Sequence, residues 1–293
     1  MWVRAASPTP SRIQIEIWNI GTACDSYSSD RNCYRGTPGS QSLVHSLRDS
    51  CLVVVPALNE EATVADVVRN LQRRGLSRIR VIDNGSVDGT AKRARAAGAE
   101  VLMEPHCGYG QACRRGLTRI PRRIAWILFC DADGSDNQDD LDLMIAAADD
   151  ADFVLGNRFA TKTGREAMTS VQRLGNRLVS KLIEHGWGFR FADFGPLRLI
   201  RRQALDDIDM RERGFGWNVI MQIRALEAGL KIREVPVRYR PRQGGSSKIS
   251  GNIVGAICAG FGILQAVARL YFSPKRQRAS QRRGYSPTRV ASI

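Results

Sequence analysis

The sequence predicts an α/β fold: a mostly parallel central sheet flanked by helices. Three observations predict it. Strand-length apolar runs alternate with helix-period stretches from residue 51 to about residue 155. The runs are apolar throughout rather than every second residue, as strands covered on both faces are. Several of them end in polar, glycine-containing turns, which is where α/β sheets present their ligand edge.

Taken in order, residues 52–55 are a β-branched run, followed by Val64, Val67, Val68 and Leu71 at i, i+3, i+4, i+7, a strand and then a helix stopped at Gly75. Residues 79–82 read as a strand, 89–97 as a helix ending at Gly98, 101–103 as a strand and 110–117 as a helix. The alternation continues with 125–130, 141–148 and 153–155 as strand, helix and strand. Beyond Gly156 the pattern loosens. Helices are expected at 171–184 and 217–227, and strands near 197–200 and at 232–239. No internal repeat interrupts this order.

The 293 residues carry 44 Lys+Arg against 29 Asp+Glu, a net charge of +15. Six of those charges lie without an acid in residues 273–293, expected to be a disordered basic tail, and residues 51–272 keep +8. Such a body attracts nucleic acid, anionic headgroups or phosphorylated small molecules. No nucleic-acid recognition module is visible, and the arginines are not interleaved with aromatics, so no specific nucleic acid is expected. Seven cysteines without a C-x-x-C pair, and only three histidines, exclude a disulfide scaffold or structural zinc as the organising device. The N-terminus lacks a secretory pattern, which predicts a cytoplasmic protein. Residues 1–50, rich in Ser, Thr, Gly and Pro, read as a poorly ordered leader with one short strand at 13–18. Residues 251–272 are apolar but interrupted by Asn252, Gln265 and Arg269; they fit a helix at a lipid surface, a core or oligomer helix, or a span.

Chemistry gathers at the strand ends. The first strand runs into Pro56-Ala57-Leu58-Asn59-Glu60-Glu61, the second into Asp83-Asn84-Gly85-Ser86 and a later one into Asp131-Ala132-Asp133-Gly134-Ser135-Asp136. Asp131 and Asp133 flank one small residue after an apolar strand, so two hard oxygen donors are expected at a rigid rim, suited to Mg²⁺ or Mn²⁺ shared with a diphosphate.

These segments, with VLGNRF at 154–159, DFGPLRLIRR at 193–202 and EVPVRYRPRQGGSSKISG at 234–251, resemble the inverting family 2 glycosyltransferases of GT-A fold. Within that family the chain is most similar to the dolichyl-phosphate mannosyltransferase and polyprenyl-phosphate glycosyltransferase group. The resemblance implies that residues 51–250 form a GT-A nucleotide-diphospho-sugar transferase domain. It implies a nucleotide-sugar donor of the GDP-mannose or UDP-glucose type, a polyprenyl or dolichyl phosphate acceptor, and a peripheral place at the cytoplasmic face of a membrane. By the same resemblance Pro56, Ala57, Asn59, Glu60 and Asp83 cradle the nucleoside, and Asp131 and Asp133 hold the metal. Arg242, Ser247 and Lys248 match the R-x-x-G-x-S-K segment, with Arg242 and Lys248 as catalytic groups beside Asp133. Arg158, Arg198 and Ser247 are candidates for the acceptor or donor phosphates, and each arginine equally fits a scaffold role.

Three positions depart from that pattern: Ala57 where an aromatic is usual, Asn84 where a second acid is usual, and Ile220 in a segment that usually carries an acid. The alternative acceptor is a soluble saccharide or small molecule. Gly108-Tyr109-Gly110 imitates the start of a dinucleotide fingerprint but lacks its third glycine and a suitably spaced acid.

Overall fold

The computed structural model describes residues 38–242 and 253–272, with side chains from residue 44 and, in the last helix, from residue 260. The expected strand at 13–18, the basic tail, Ser247 and Lys248 lie outside the described residues. Helix α1 (Pro38–Asp49) occupies the end of the segment read as a leader. Its Leu47 is buried and its Arg48 pairs with Asp142 at 2.6 Å, so tertiary contacts order a stretch with little pattern of its own.

The alternation then appears as read: β1 (Cys51–Ala57), α2 (Val64–Arg73), β2 (Ile79–Asp83), α3 (Thr90–Ala96), β3 (Glu100–Met103), α4 (Tyr109–Gly116), β4 (Trp126–Phe129), α5 (Leu141–Ala147) and β5 (Phe153–Asn157). The predicted apolar face of α2, Val64, Val67, Val68 and Leu71, is its buried face. Next come α6 (Lys162–Ala167), α7 (Ser170–Trp187), β6 (Arg198–Arg201), α8 (Arg202–Ile208), α9 (Trp217–Ala228), β7 (Ile232–Pro236) and α10 (Ile253–Tyr271). The short helices α6, after a 3-10 turn at Arg158–Ala160, and α8, directly after β6, are too brief to show a period.

The seven strands form one sheet in the order β3-β2-β1-β4-β6-β5-β7. All neighbours are parallel except β6, which runs antiparallel to both β4 and β5. β6 therefore lies between two strands that precede it in the chain. Apolar clusters cover the two faces of the sheet. One gathers Phe129, Phe153, Trp187, Trp217 and Ile220, and the other Val53, Val55, Val67, Leu71 and Met144. Strand β7 stops at Pro236, short of the expected 239, because Tyr239 leaves β5 and forms a single antiparallel bridge with Asp136. No helix among the described residues is long and apolar enough to cross a membrane.

Candidate active site

β1, β2 and β4 are parallel neighbours, so their C-terminal ends open onto one edge, and register sets Ala57 opposite Asp83. The loops there are tied to one another. Asn59, in the left-handed region at φ 54°, donates its N–H to Ser86 Oγ at 2.9 Å and accepts from the Val87 N–H at 2.9 Å. The Glu60 N–H donates to Thr90 Oγ1 at 2.7 Å, and Thr63 Oγ1 donates to the Ala132 carbonyl at 2.8 Å. Asp83, buried at the end of β2, accepts from the Ser86 N–H at 2.8 Å. Asn84 bonds the 104–108 loop, donating to the Glu104 and His106 carbonyls and accepting from the Gly108 N–H. That position thus serves a loop contact here, a role that a carboxylate, lacking the N–H donors, could not fill.

The 131–136 turn forms the third side. Asp133 Oδ1 accepts from the Ser135 N–H and Oγ, at 2.9 and 2.6 Å, while its Oδ2 faces Arg242 Nη2 at 3.1 Å. Asp131 accepts from the Tyr109 hydroxyl at 3.3 Å, and Asp136 accepts from the Asp131 N–H at 3.0 Å. Burial first, and then the neighbouring carboxylates, push Asp131 well above the usual carboxylate range. Burial likewise carries Asp136 to about 7. Three acids crowd one turn, an arrangement unfavourable in isolation that a divalent cation relieves. Among the described residues no set of three or more His, Cys, Asp or Glu is arranged to hold a metal by itself. Two carboxylates sharing an ion with a diphosphate are compatible with that.

The chain returns over this turn after β7. The Arg240 N–H donates to the Ser135 carbonyl at 2.9 Å, and Arg238 pairs with Asp140 at 2.7 Å. Arg242, half-buried, binds Glu60 Oε1 at 2.9 Å as well as Asp133. It joins the β1 loop to the β4 turn although 109 residues separate it from Asp133.

Pro56, Ala57, Asn59, Glu60, Asp83, Asp131, Asp133 and Arg242 are therefore brought to one rim. Arg158 and Arg198 are enclosed by protein partners, and Arg158, just past the end of β5, stands close enough to Asp131 and Asp136 to favour their charged forms. Arg158 is buried in a two-pronged pair with Asp193, Nε to Oδ2 at 2.7 Å and Nη2 to Oδ1 at 2.8 Å, with its guanidinium 4.9 Å over the Tyr239 ring. Burial disfavours its charge, and Asp193 more than offsets that. Arg198, 1% exposed, donates to the Gly195 and Asn218 carbonyls and to Gln222 Oε1; burial pulls it down to about 10. Ile220 lies in the apolar core, and Gln222, two residues on, makes the polar link to Arg198.

Tyr109 escaped sequence reading, because only the fold brings the start of α4 to Asp131. The glycines around it serve packing. A side chain at Gly110 would lie 2.7 Å from the Arg213 backbone, and the Gly110 and Gln111 N–H groups donate to the Gly214 and Arg213 carbonyls. The amides that a dinucleotide phosphate would need are thus occupied.

A mixed seven-stranded α/β sheet thus carries an acidic, arginine-crossed rim at its parallel edge. Residues 52–209 match Glycosyl transferase family 2, and the chain belongs to that family. An uncharacterized glycosyltransferase of Mycobacterium tuberculosis is 35% identical over 212 residues, covering 72% of this chain and 94% of its own length. The dolichyl-phosphate hexose transferase of Haloferax volcanii is 31% identical over 199 residues, covering 67% and 85%. In structure, the chain is similar to glucosyl-3-phosphoglycerate synthase from Mycobacterium tuberculosis, solved with Mn²⁺, UDP-glucose and phosphoglyceric acid. That likeness has a TM-score of 0.61 at 18% identity and covers 79% of this chain and 83% of that one. The protein is an enzyme of the transferase class with the GT-A fold.

Proposed function

We propose that the enzyme transfers a hexose from a GDP-mannose or UDP-glucose type donor to a polyprenyl or dolichyl phosphate, with inversion, at the cytoplasmic face of a membrane. The single observation that carries the donor side is the convergence of Glu60, Asp83, Asp131, Asp133 and Arg242 on one edge. In this reading Pro56, Ala57, Asn59, Glu60 and Asp83 cradle the nucleoside. Asp131 and Asp133 would hold Mg²⁺ or Mn²⁺, which supplies neutralisation of the charge on the departing nucleoside diphosphate. Arg242 leaves its carboxylate partners for the diphosphate, and Ser247 and Lys248 follow it on the same segment.

The acceptor side is supported by the dolichyl-phosphate hexose transferase relative and by chemistry. A phosphate monoester is already anionic at neutral pH, so its oxygen attacks without a general base, and the protein's task is to align it behind the anomeric carbon. A soluble acceptor is the second reading, favoured by the fold shared with a synthase solved with phosphoglyceric acid.

The test incubates the protein with GDP- and UDP-sugars, Mg²⁺ or Mn²⁺, and either polyprenyl phosphate or soluble acceptors, and reads product by mass spectrometry. The expected result is a metal-dependent lipid-linked sugar that falls about 10²–10³-fold in Asp133→Asn, the loss typical of removing one charge-stabilising group. Product on a soluble acceptor alone overturns the lipid reading and leaves the donor reading intact.

A further inference from the structure

Of the ten large apolar side chains left exposed among the described residues, seven lie on, or one residue beyond, two neighbouring helices. Four are on α7: Val171 at 66%, Leu174 at 68%, Leu178 at 49% and Leu182 at 36% exposure. Three are on α10 or just after it, Phe261, Leu264 and Phe272. The two helices meet where Tyr271 stacks edge-on against Trp187 with ring centres 5.9 Å apart.

The stripe on α7 is not the face that holds the helix to the protein. Val179, Ser180, Ile183 and Trp187 are its buried residues. At 100° per residue, positions 171, 174, 178 and 182 fall on nearly the opposite side. An 18-residue helix thus carries two apolar faces, one satisfied by the core and one by nothing in the chain described. Along one edge of the outer stripe, Arg173, Arg177 and Lys181 stand four residues apart, which aligns them in a row. Glu184 is the helix's one acid, and it faces Arg190 at 3.9 Å.

Contiguous exposed apolar surface marks an interaction site, and the charge beside it selects the occupant. A second copy docking α7 on α7 would set this row of cations against its own image. The basic tail at 273–293 is repelled in the same way. An anionic bilayer complements both features, with leucines entering the headgroup and acyl boundary and the basic row meeting lipid phosphates.

We infer that α7, together with α10, is a docking face for an anionic lipid surface. The inference deepens the lipid-acceptor reading and rests on it for its purpose, because such a face would hold the catalytic rim at the bilayer where a polyprenyl phosphate lies.

Co-sedimentation of the full-length protein tests it, using phosphatidylglycerol/phosphatidylcholine vesicles and phosphatidylcholine vesicles, without nucleotide sugar or polyprenol. The wild type is expected to pellet with the anionic vesicles, less so as salt rises. Arg177→Gln/Lys181→Gln should weaken that binding about 25-fold, roughly fivefold for each charge removed. Leu174→Ser/Leu178→Ser should weaken it at least about tenfold. All four positions are exposed, and circular dichroism checks that the variants fold. Wild-type binding by either double variant overturns the proposal. So does a dimer in chromatography that Leu174→Ser/Leu178→Ser dissociates, which would assign the face to a second copy. Transfer to polyprenyl phosphate in detergent separates the two readings. A variant that loses vesicle binding but transfers normally in detergent upholds both. Variant-sensitive vesicle binding with no lipid-linked product from any donor overturns the acceptor reading and leaves the docking face standing.

Discussion

The rim at the ends of β1, β2 and β4 and the flank built on β6, β5 and β7 treat charge in opposite ways. On the rim, Asp131, Asp133 and Asp136 share one turn, and Arg242, which reaches Asp133, arrives from a distant segment and is half-buried. On the flank, Asp193 is enclosed. It accepts from the Arg158 N–H and guanidinium, from Asn176 on α7 and from the Phe194 N–H, all between 2.7 and 3.0 Å. Burial alone would raise that carboxyl, but Arg158 and the N–H donors hold it below the usual range. The rim keeps charge where a ligand can answer it. The flank uses charge to lock α7 to the sheet, and it turns apolar side chains outward.

The sharpest way to break this comparison is Asp193→Ala. It strands a buried guanidinium, and urea denaturation should show a loss of about 3–5 kcal/mol. A loss under about 1 kcal/mol would mean the pair is no lock. Asp133→Asn should do the reverse, with transfer down as stated above and a smaller stability loss than Asp193→Ala, because Arg242 is partly exposed, the asparagine keeps its bond from Ser135, and a crowded acid is removed. Equal destabilisation by the two variants would erase the distinction.

Glu234 sharpens the flank side. Burial carries this carboxyl up to about 7, even though it accepts from the Ala192 N–H at 2.9 Å. The folded state therefore holds a proton that the unfolded state releases at its ordinary value of 4.5. Stability attributable to Glu234 is greatest below pH 4.5 and falls as pH rises to 7, by roughly 3 kcal/mol. Glu234→Gln should flatten that fall in urea titrations across the same pH window. The smallest expected effect concerns α7 alone. Thr169 and Gln172 form a reciprocal cap at its N-terminus, so Thr169→Ala should cost about 1 kcal/mol in the same assay and leave transfer by pre-bound enzyme in detergent unchanged.

The rim was largely legible in the sequence because its residues are local. Each acid follows an apolar run, and parallel strands carry their ends to one edge, so knowing that 52–55, 79–82 and 125–130 are strands nearly suffices to bring Glu60, Asp83 and Asp131 together. The flank was less legible. An arginine's letter says nothing about whether it is enclosed, and VLGNRF and PLRL gave no sign that Arg158 would meet Asp193 or that Arg198 would end against Gln222. Tyr109 was hidden for a similar reason, since its partner Asp131 lies 22 residues away on a different strand end.

The sequence by itself determined the elements from Cys51–Ala57 through Phe153–Asn157, the parallel edge and the acids along it, because hydrophobic periodicity and turn chemistry act over a few residues. Only the tertiary structure decided that β6 inserts antiparallel between β4 and β5, that Arg242 spans Glu60 and Asp133, and that one face of α7 has no protein partner among the described residues. Those outcomes depend on which distant surfaces are close enough to pack and exclude water, and neither burial nor long-range pairing is written in the spacing of neighbouring residues.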